Sequence, residues 1–124
     1  MAQPLALVVS ERTIPGTQLL GKLNDLGYRT EPVNDLGRLV QVAEYMKPLV
    51  IFMDLKWKTR DPFVSINSLI SNPATEYTPI IAYAPLDEED SLERALNTGA
   101  TLVAGDDLVL PQLERLLDQA MEID

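Results

Sequence analysis

Residues Val50-Ile51-Phe52-Met53 form an uninterrupted apolar run that ends directly on a carboxylate, Asp54. A run this short, rich in branched and aromatic side chains and bounded by Pro48 and a polar loop, is a strand covered on both faces. An acid at that point is unexpected after so apolar a run. The preceding strand fixes where Asp54 sits, so this position needs a reason.

The short-run pattern recurs along the chain. Leu5 to Val9, Ile80 to Ala84 and Thr101 to Ala104 read as strands, and the central run extends from Leu49 to Met53. Tyr28 to Val33 is a weaker strand, and Pro32, which cannot donate a ladder hydrogen bond, puts it at an edge. Between these runs the apolar residues take helical spacing. Thr13 and Pro15 open a helix with Leu19, Leu20, Leu23 and Leu26 in one stripe, stopped by Gly27. Asp35 caps a second with Leu36, Leu39, Val40 and Ala43, ended by Pro48. Asp61 and Pro62 start a third with Phe63, Ile66, Leu69 and Ile70, closed by Asn72 and Pro73. Asp87 caps a fourth that Gly99 follows, and a fifth, from about Asp107 or Pro111, buries Leu113, Leu116, Leu117, Ala120 and Met121.

Five strands alternating with five helices predict a single α/β domain over residues 1–124: three layers, doubly wound as (βα)5. Right-handed crossovers make the five-stranded sheet parallel, and the edge signal gives the order 2-1-3-4-5.

Composition narrows the chemistry. The 124 residues include no Cys and no His, which removes disulfides, thiol nucleophiles, structural zinc and histidine-based triads. A net charge of -9 disfavours nucleic acid and anionic membranes as partners. No apolar stretch is long enough for a spanning helix and the first residues lack a signal-peptide pattern, so a cytoplasmic location is expected. The charge is polarised: residues 1–60 carry six acids and eight bases, residues 61–124 thirteen acids and two bases.

In a doubly wound sheet the ligand site lies beyond the carboxyl ends of the strands, where the strand order reverses. Those ends deliver Glu11, Asp54 and Asp106, three acids from remote stretches that would form one acidic pocket. Carboxylates gathered this way suit a hard divalent ion such as Mg²⁺, which would also cancel their repulsion. Asp106 and Asp107 have a second role open to them, as caps of the last helix.

Leu7-Val8-Val9-Ser10-Glu11, Val50-Ile51-Phe52-Met53-Asp54-Leu55, Thr78-Pro79-Ile80-Ile81-Ala82 and Ala95-Leu96-Asn97-Thr98-Gly99-Ala100 together resemble a response-regulator receiver domain of two-component signalling, nearly end to end. The resemblance implies the flavodoxin-like receiver fold. It makes Asp54 the phospho-acceptor equivalent, with Mg²⁺ held by Glu11, Asp54 and the backbone carbonyl of Lys56. Four positions depart from the family pattern. Ser10 replaces the first acid of the metal-binding pair, and Ala84 stands where a Thr or Ser hydroxyl follows the phosphoryl group. Val103 stands where an aromatic ring rotates on activation, and Asp106 replaces a lysine. Removing one preorganised donor typically costs about 2.7 to 4 kcal/mol, and reversing its charge adds to that.

The sequence therefore predicts a degenerate receiver of a two-component or phosphorelay pathway that acts by protein–protein interaction rather than as an enzyme. Its partner would be a histidine kinase, an effector or a second copy, docking on helix four, strand five and helix five. Acidic Asp87-Glu88-Glu89-Asp90 makes that association salt-sensitive. The alternative is a working phospho-acceptor in which a loop base, Arg12, Lys56, Lys58 or Arg60, replaces the missing lysine. A lysine or arginine tip resting against the Asp54 oxygens, or Asp54 pointing elsewhere, would overturn the reading of a silenced switch. Trp57, among those bases, reads as loop packing or as a contact anchor. A flavodoxin-like flavin carrier is a remote alternative, because Glu11 lies where a phosphate-cradling loop is needed.

Overall fold

The computed structural model describes residues 3–122. Strands β1 (Leu5–Val9), β2 (Arg29–Val33), β3 (Val50–Asp54), β4 (Ile80–Ala84) and β5 (Leu102–Gly105) form one sheet in the order β2-β1-β3-β4-β5. Every pairing is parallel. β1, β3 and β4 are buried along their full length, as continuous apolar runs require when helices cover both faces. β2, with Pro32, takes the edge.

The helices are α1 (Gly16–Asp25), α2 (Leu39–Met46), α3 (Pro62–Ser71), α4 (Glu89–Thr98), α5 (Asp106–Val109) and α6 (Leu113–Glu122). Alternation along the strands divides the core. Leu7, Val9, Ile51, Met53, Ile80 and Ala82 pack with the residues of α2, α3 and α4. Ala6, Val8, Phe52, Ile81 and Tyr83 pack on the other face with Leu19 and Leu23 of α1 and Leu113, Leu116, Leu117 and Ala120 of α6. The three-layer doubly wound architecture and its strand order agree with the sequence reading.

Local details differ from expectation. The last helix is two, because the chain breaks its helical path around Leu110–Gln112, where Pro111 cannot donate an amide hydrogen. The cap expected at Thr13 falls instead on Pro15, which directly precedes α1, and the Thr13 carbonyl accepts from Thr17 N at 2.8 Å in the turn before it. Asp35 does cap, accepting from Gly37 N, but the turn it opens is a 3-10 segment preceding α2. A similar 3-10 turn at Leu86–Glu88 precedes α4, and Asp87 makes no cap bond there. Asp61 caps α3 as expected, through Phe63 N at 2.9 Å. Leu26 and Met121, placed in buried stripes by their spacing, are exposed at the helix ends.

Candidate functional site

β1, β3 and β5 bring three chain segments to one mouth at their carboxyl ends. Asp54, the last residue of β3, points to the α1/α6 face, as Phe52 two residues earlier does. Its side chain is fully buried. Four donors satisfy it. Oδ1 accepts from Arg12 Nη2 at 2.8 Å and from the Lys56 amide at 2.9 Å. Oδ2 accepts from Arg12 Nε at 2.8 Å and from the Ser10 hydroxyl at 2.9 Å.

The same guanidinium holds Asp106, with Nη1 on Oδ2 at 2.8 Å and Nη2 on Oδ1 at 3.2 Å. Arg12 thus bridges two carboxylates that would otherwise repel each other. Its planar fork matches carboxylate geometry, and charged donors make these bonds stronger than neutral ones. Burial works against the charged guanidinium, but the hydrogen bonds and attraction from Asp54 and Asp106 outweigh it and raise its pKa.

The loop after β1 aims Arg12 inward by a local device. Ser10 Oγ accepts from the Arg12 amide at 3.1 Å and lies 2.9 Å from the Arg12 carbonyl, folding residues 10–12 back on themselves. The hydroxyl has one proton, shared between that carbonyl and Asp54.

The expected three-acid pocket is corrected at Glu11. Its carboxylate turns to the β3–α3 loop, accepting from the Lys58 amide and, at 3.4 Å, from the Thr59 hydroxyl. In the bend that Ser10 makes with the backbone of residue 12, Arg12 faces inward and Glu11 outward. Among the described residues no three acidic side chains gather into a group able to hold a metal. Asp106 enters the site through Arg12, and neither it nor Asp107 makes a side-chain cap bond to α5.

Ala84 is buried at the end of β4 and has no side-chain donor. Val103 is half-buried on β5, against the core of α2, α3 and α4. Lys56 contributes its amide to Asp54, while its ammonium lies 4.0 Å from Glu88. Lys58 and Arg60 are exposed. Trp57 turns its indole inward, donating to the Asp54 carbonyl at 2.6 Å and packing on the core, which is the loop-packing role.

Tyr83 was not singled out by the sequence. It pairs with Asp54 across β3 and β4, and its fully buried hydroxyl has no hydrogen-bond partner among the described residues. Burial, and then the nearby Asp54 carboxylate, push its pKa well above the ordinary tyrosine value. The available signal was a polar-tipped ring inside an otherwise aliphatic buried strand.

No protein-family model matches the sequence, and no curated protein matches it. Solved structures do match in three dimensions. The receiver domain of a Pseudomonas aeruginosa sensor histidine kinase, with magnesium coordinated in its active-site cleft, aligns at a TM-score of 0.86 and 23% identity, covering 98% of this chain and 99% of that one. A two-component response regulator from Clostridium difficile gives 0.84 at 18% identity, covering 98% of each chain. The receiver domain of a DNA-binding response regulator from Colwellia psychrerythraea gives 0.83 at 22% identity, covering 96% and 98%. The fold is that of the response-regulator receiver domain.

The residues present do not fit a magnesium ion of the kind bound in the Pseudomonas structure. Mg²⁺ takes about six oxygens in octahedral geometry and keeps several waters. Here both Asp54 oxygens are committed to donors, Ser10 is neutral, Glu11 faces away and a guanidinium lies against the remaining acid.

Proposed function

We propose that this chain is a receiver-like module of two-component signalling that transmits by binding another protein, without cycling a phosphoryl group on Asp54. The observation that carries the reading is the state of that carboxylate: no exposed surface, and two donors on each oxygen. To attack a phosphoryl donor it would have to shed charge-assisted bonds and meet the donor in a mouth that offers neither a hydroxyl at Ala84 nor a free ammonium at Asp106. Arg12 does rest against Asp54, the arrangement expected to revive the chemistry. Its charge, however, is already shared with Asp106, so it acts as a clamp and not as a spare cation.

The partner surface is α4, β5 and the α5–α6 segment. Exposed Leu96 on α4, Leu108 on α5 and Leu86 in the 3-10 turn before α4 lie on this side of the chain, and that turn and the start of α4 also carry the exposed acids Asp87, Glu89 and Asp90. A basic face on a histidine kinase, an effector or a second copy complements them, with affinity that falls as salt is added. Incubation with acetyl phosphate and Mg²⁺ followed by phosphate-affinity electrophoresis tests the reading, with no shifted band expected. A band that disappears in Asp54→Asn would establish the alternative, a phospho-acceptor assisted by Arg12.

A further inference from the structure

We infer that Arg12 is the resident cation of this mouth, built into the chain in place of a free divalent ion, and that Ser10 is the residue that positions it. The inference stands apart from the binding role, since it concerns only what neutralises Asp54 and Asp106.

Two carboxylates in a partly desolvated mouth require positive charge. Arg12 supplies it through four hydrogen bonds, two to each acid, while keeping only 23% of its side chain exposed. The geometry is that of a cation site with the cation tethered. Arg12 leaves the chain three residues beyond the end of β1, and the Ser10 hydroxyl bonds its amide, which turns the side chain toward β3 and α5. A tethered group competes at a fixed, high effective concentration, whereas a free ion depends on its concentration in solution. An entering divalent ion would also have to displace both forks and leave a guanidinium beside itself.

Three consequences follow from this placement. The mouth is complete without metal, so chelators and millimolar Mg²⁺ leave it unchanged. Removing the guanidinium while keeping both acids converts the mouth into an open site for a divalent ion. Removing the Ser10 hydroxyl loosens Arg12 without altering any charge.

The test is a titration of the uniformly ¹⁵N-labelled chain with MgCl2 at constant ionic strength, following the amides of Asp54, Lys56 and Asp106 and the Arg12 Nε–Hε signal. In the unmodified chain the Arg12 signal should be visible, slow to exchange, and unmoved by Mg²⁺. Arg12→Gln should show saturable shifts of the three amides. Ser10→Ala should speed exchange of the Arg12 signal. Saturable Mg²⁺ shifts in the unmodified chain, or loss of the Arg12 signal on adding the ion, would overturn the inference whether or not any variant folds. Absence of a response in a folded Arg12→Gln would also overturn it, since the acids would then not form a cation site at all.

Discussion

Arg12 and Asp54, 42 positions apart, meet in a two-pronged ion pair: Nε on Oδ2 and Nη2 on Oδ1, both at 2.8 Å. The acid is fully buried and the base mostly so, which makes the pair very unequal to lose from either side. Arg12→Ala leaves Asp54 charged, buried and short of two donors. It should destabilise the fold by about 3 kcal/mol, the lower end for breaking a buried pair because one partner retains some solvent. Asp106→Asn, on a partly exposed carboxylate, should cost only about 1 kcal/mol. Urea denaturation of the two variants checks the order, and equal losses would contradict the geometry.

A charge swap tests whether the bridge is what orders the mouth. Asp106→Lys alone places an ammonium beside the guanidinium and should destabilise the fold more than Asp106→Asn does. Arg12→Asp is itself costly because Asp54 loses two donors, but combined with Asp106→Lys it should lose less than the sum of the two single changes, a favourable coupling of about 1 kcal/mol or more in a double-mutant cycle. Additive effects would mean that the two side chains do not act on each other.

The orphaned hydroxyl of Tyr83 makes the opposite kind of prediction. A buried donor without a partner carries its desolvation cost uncompensated, so Tyr83→Phe should raise stability by about 1 kcal/mol where most core changes lower it. Alkaline pH should expose the same residue. Its folded pKa lies above the unfolded value of 10.0, so its contribution is intact below about pH 10 and is lost as the pH rises further, when only the unfolded phenol can ionise. Tyr28, also raised by burial and then by Asp118, acts in the same direction. Denaturation midpoints measured above pH 10 should fall less steeply in Tyr83→Phe.

Gly99 ends α4 with φ at +137°, and a Cβ there would lie 2.5 Å from Ile70 Cδ1 on α3. Gly99→Ala combines a disfavoured backbone conformation with a collision against a half-buried side chain. It should cost about 2 kcal/mol in thermal or urea unfolding, while leaving the Arg12 Nε–Hε signal in place.

What the sequence showed depended on how locally each feature is specified. Strand positions and order were legible because uninterrupted apolar runs mark double-sided burial and Pro32 marks an edge. The place of Asp54 was legible because β3 carries it. The side-chain directions after β1 were not, since Glu11 and Arg12 are adjacent, both charged, and which one faces inward is decided by Ser10 bonding the backbone of residue 12. Reading acids alone therefore assembled a trio that the loop takes apart. Arg12 was visible only as one of several loop bases, and its position two residues past Ser10 was the signal that separated it from Lys58 and Arg60. The break between α5 and α6 was signalled by Pro111 but masked by helical spacing on either side.

The single tryptophan hangs its indole N–H on the main-chain carbonyl of Asp54. The protein thereby carries an optical gauge wired to the residue of greatest interest. Anything that tugs on that strand end, whether a docking partner or a loosened guanidinium, should register as a change in emission colour or intensity without an added label.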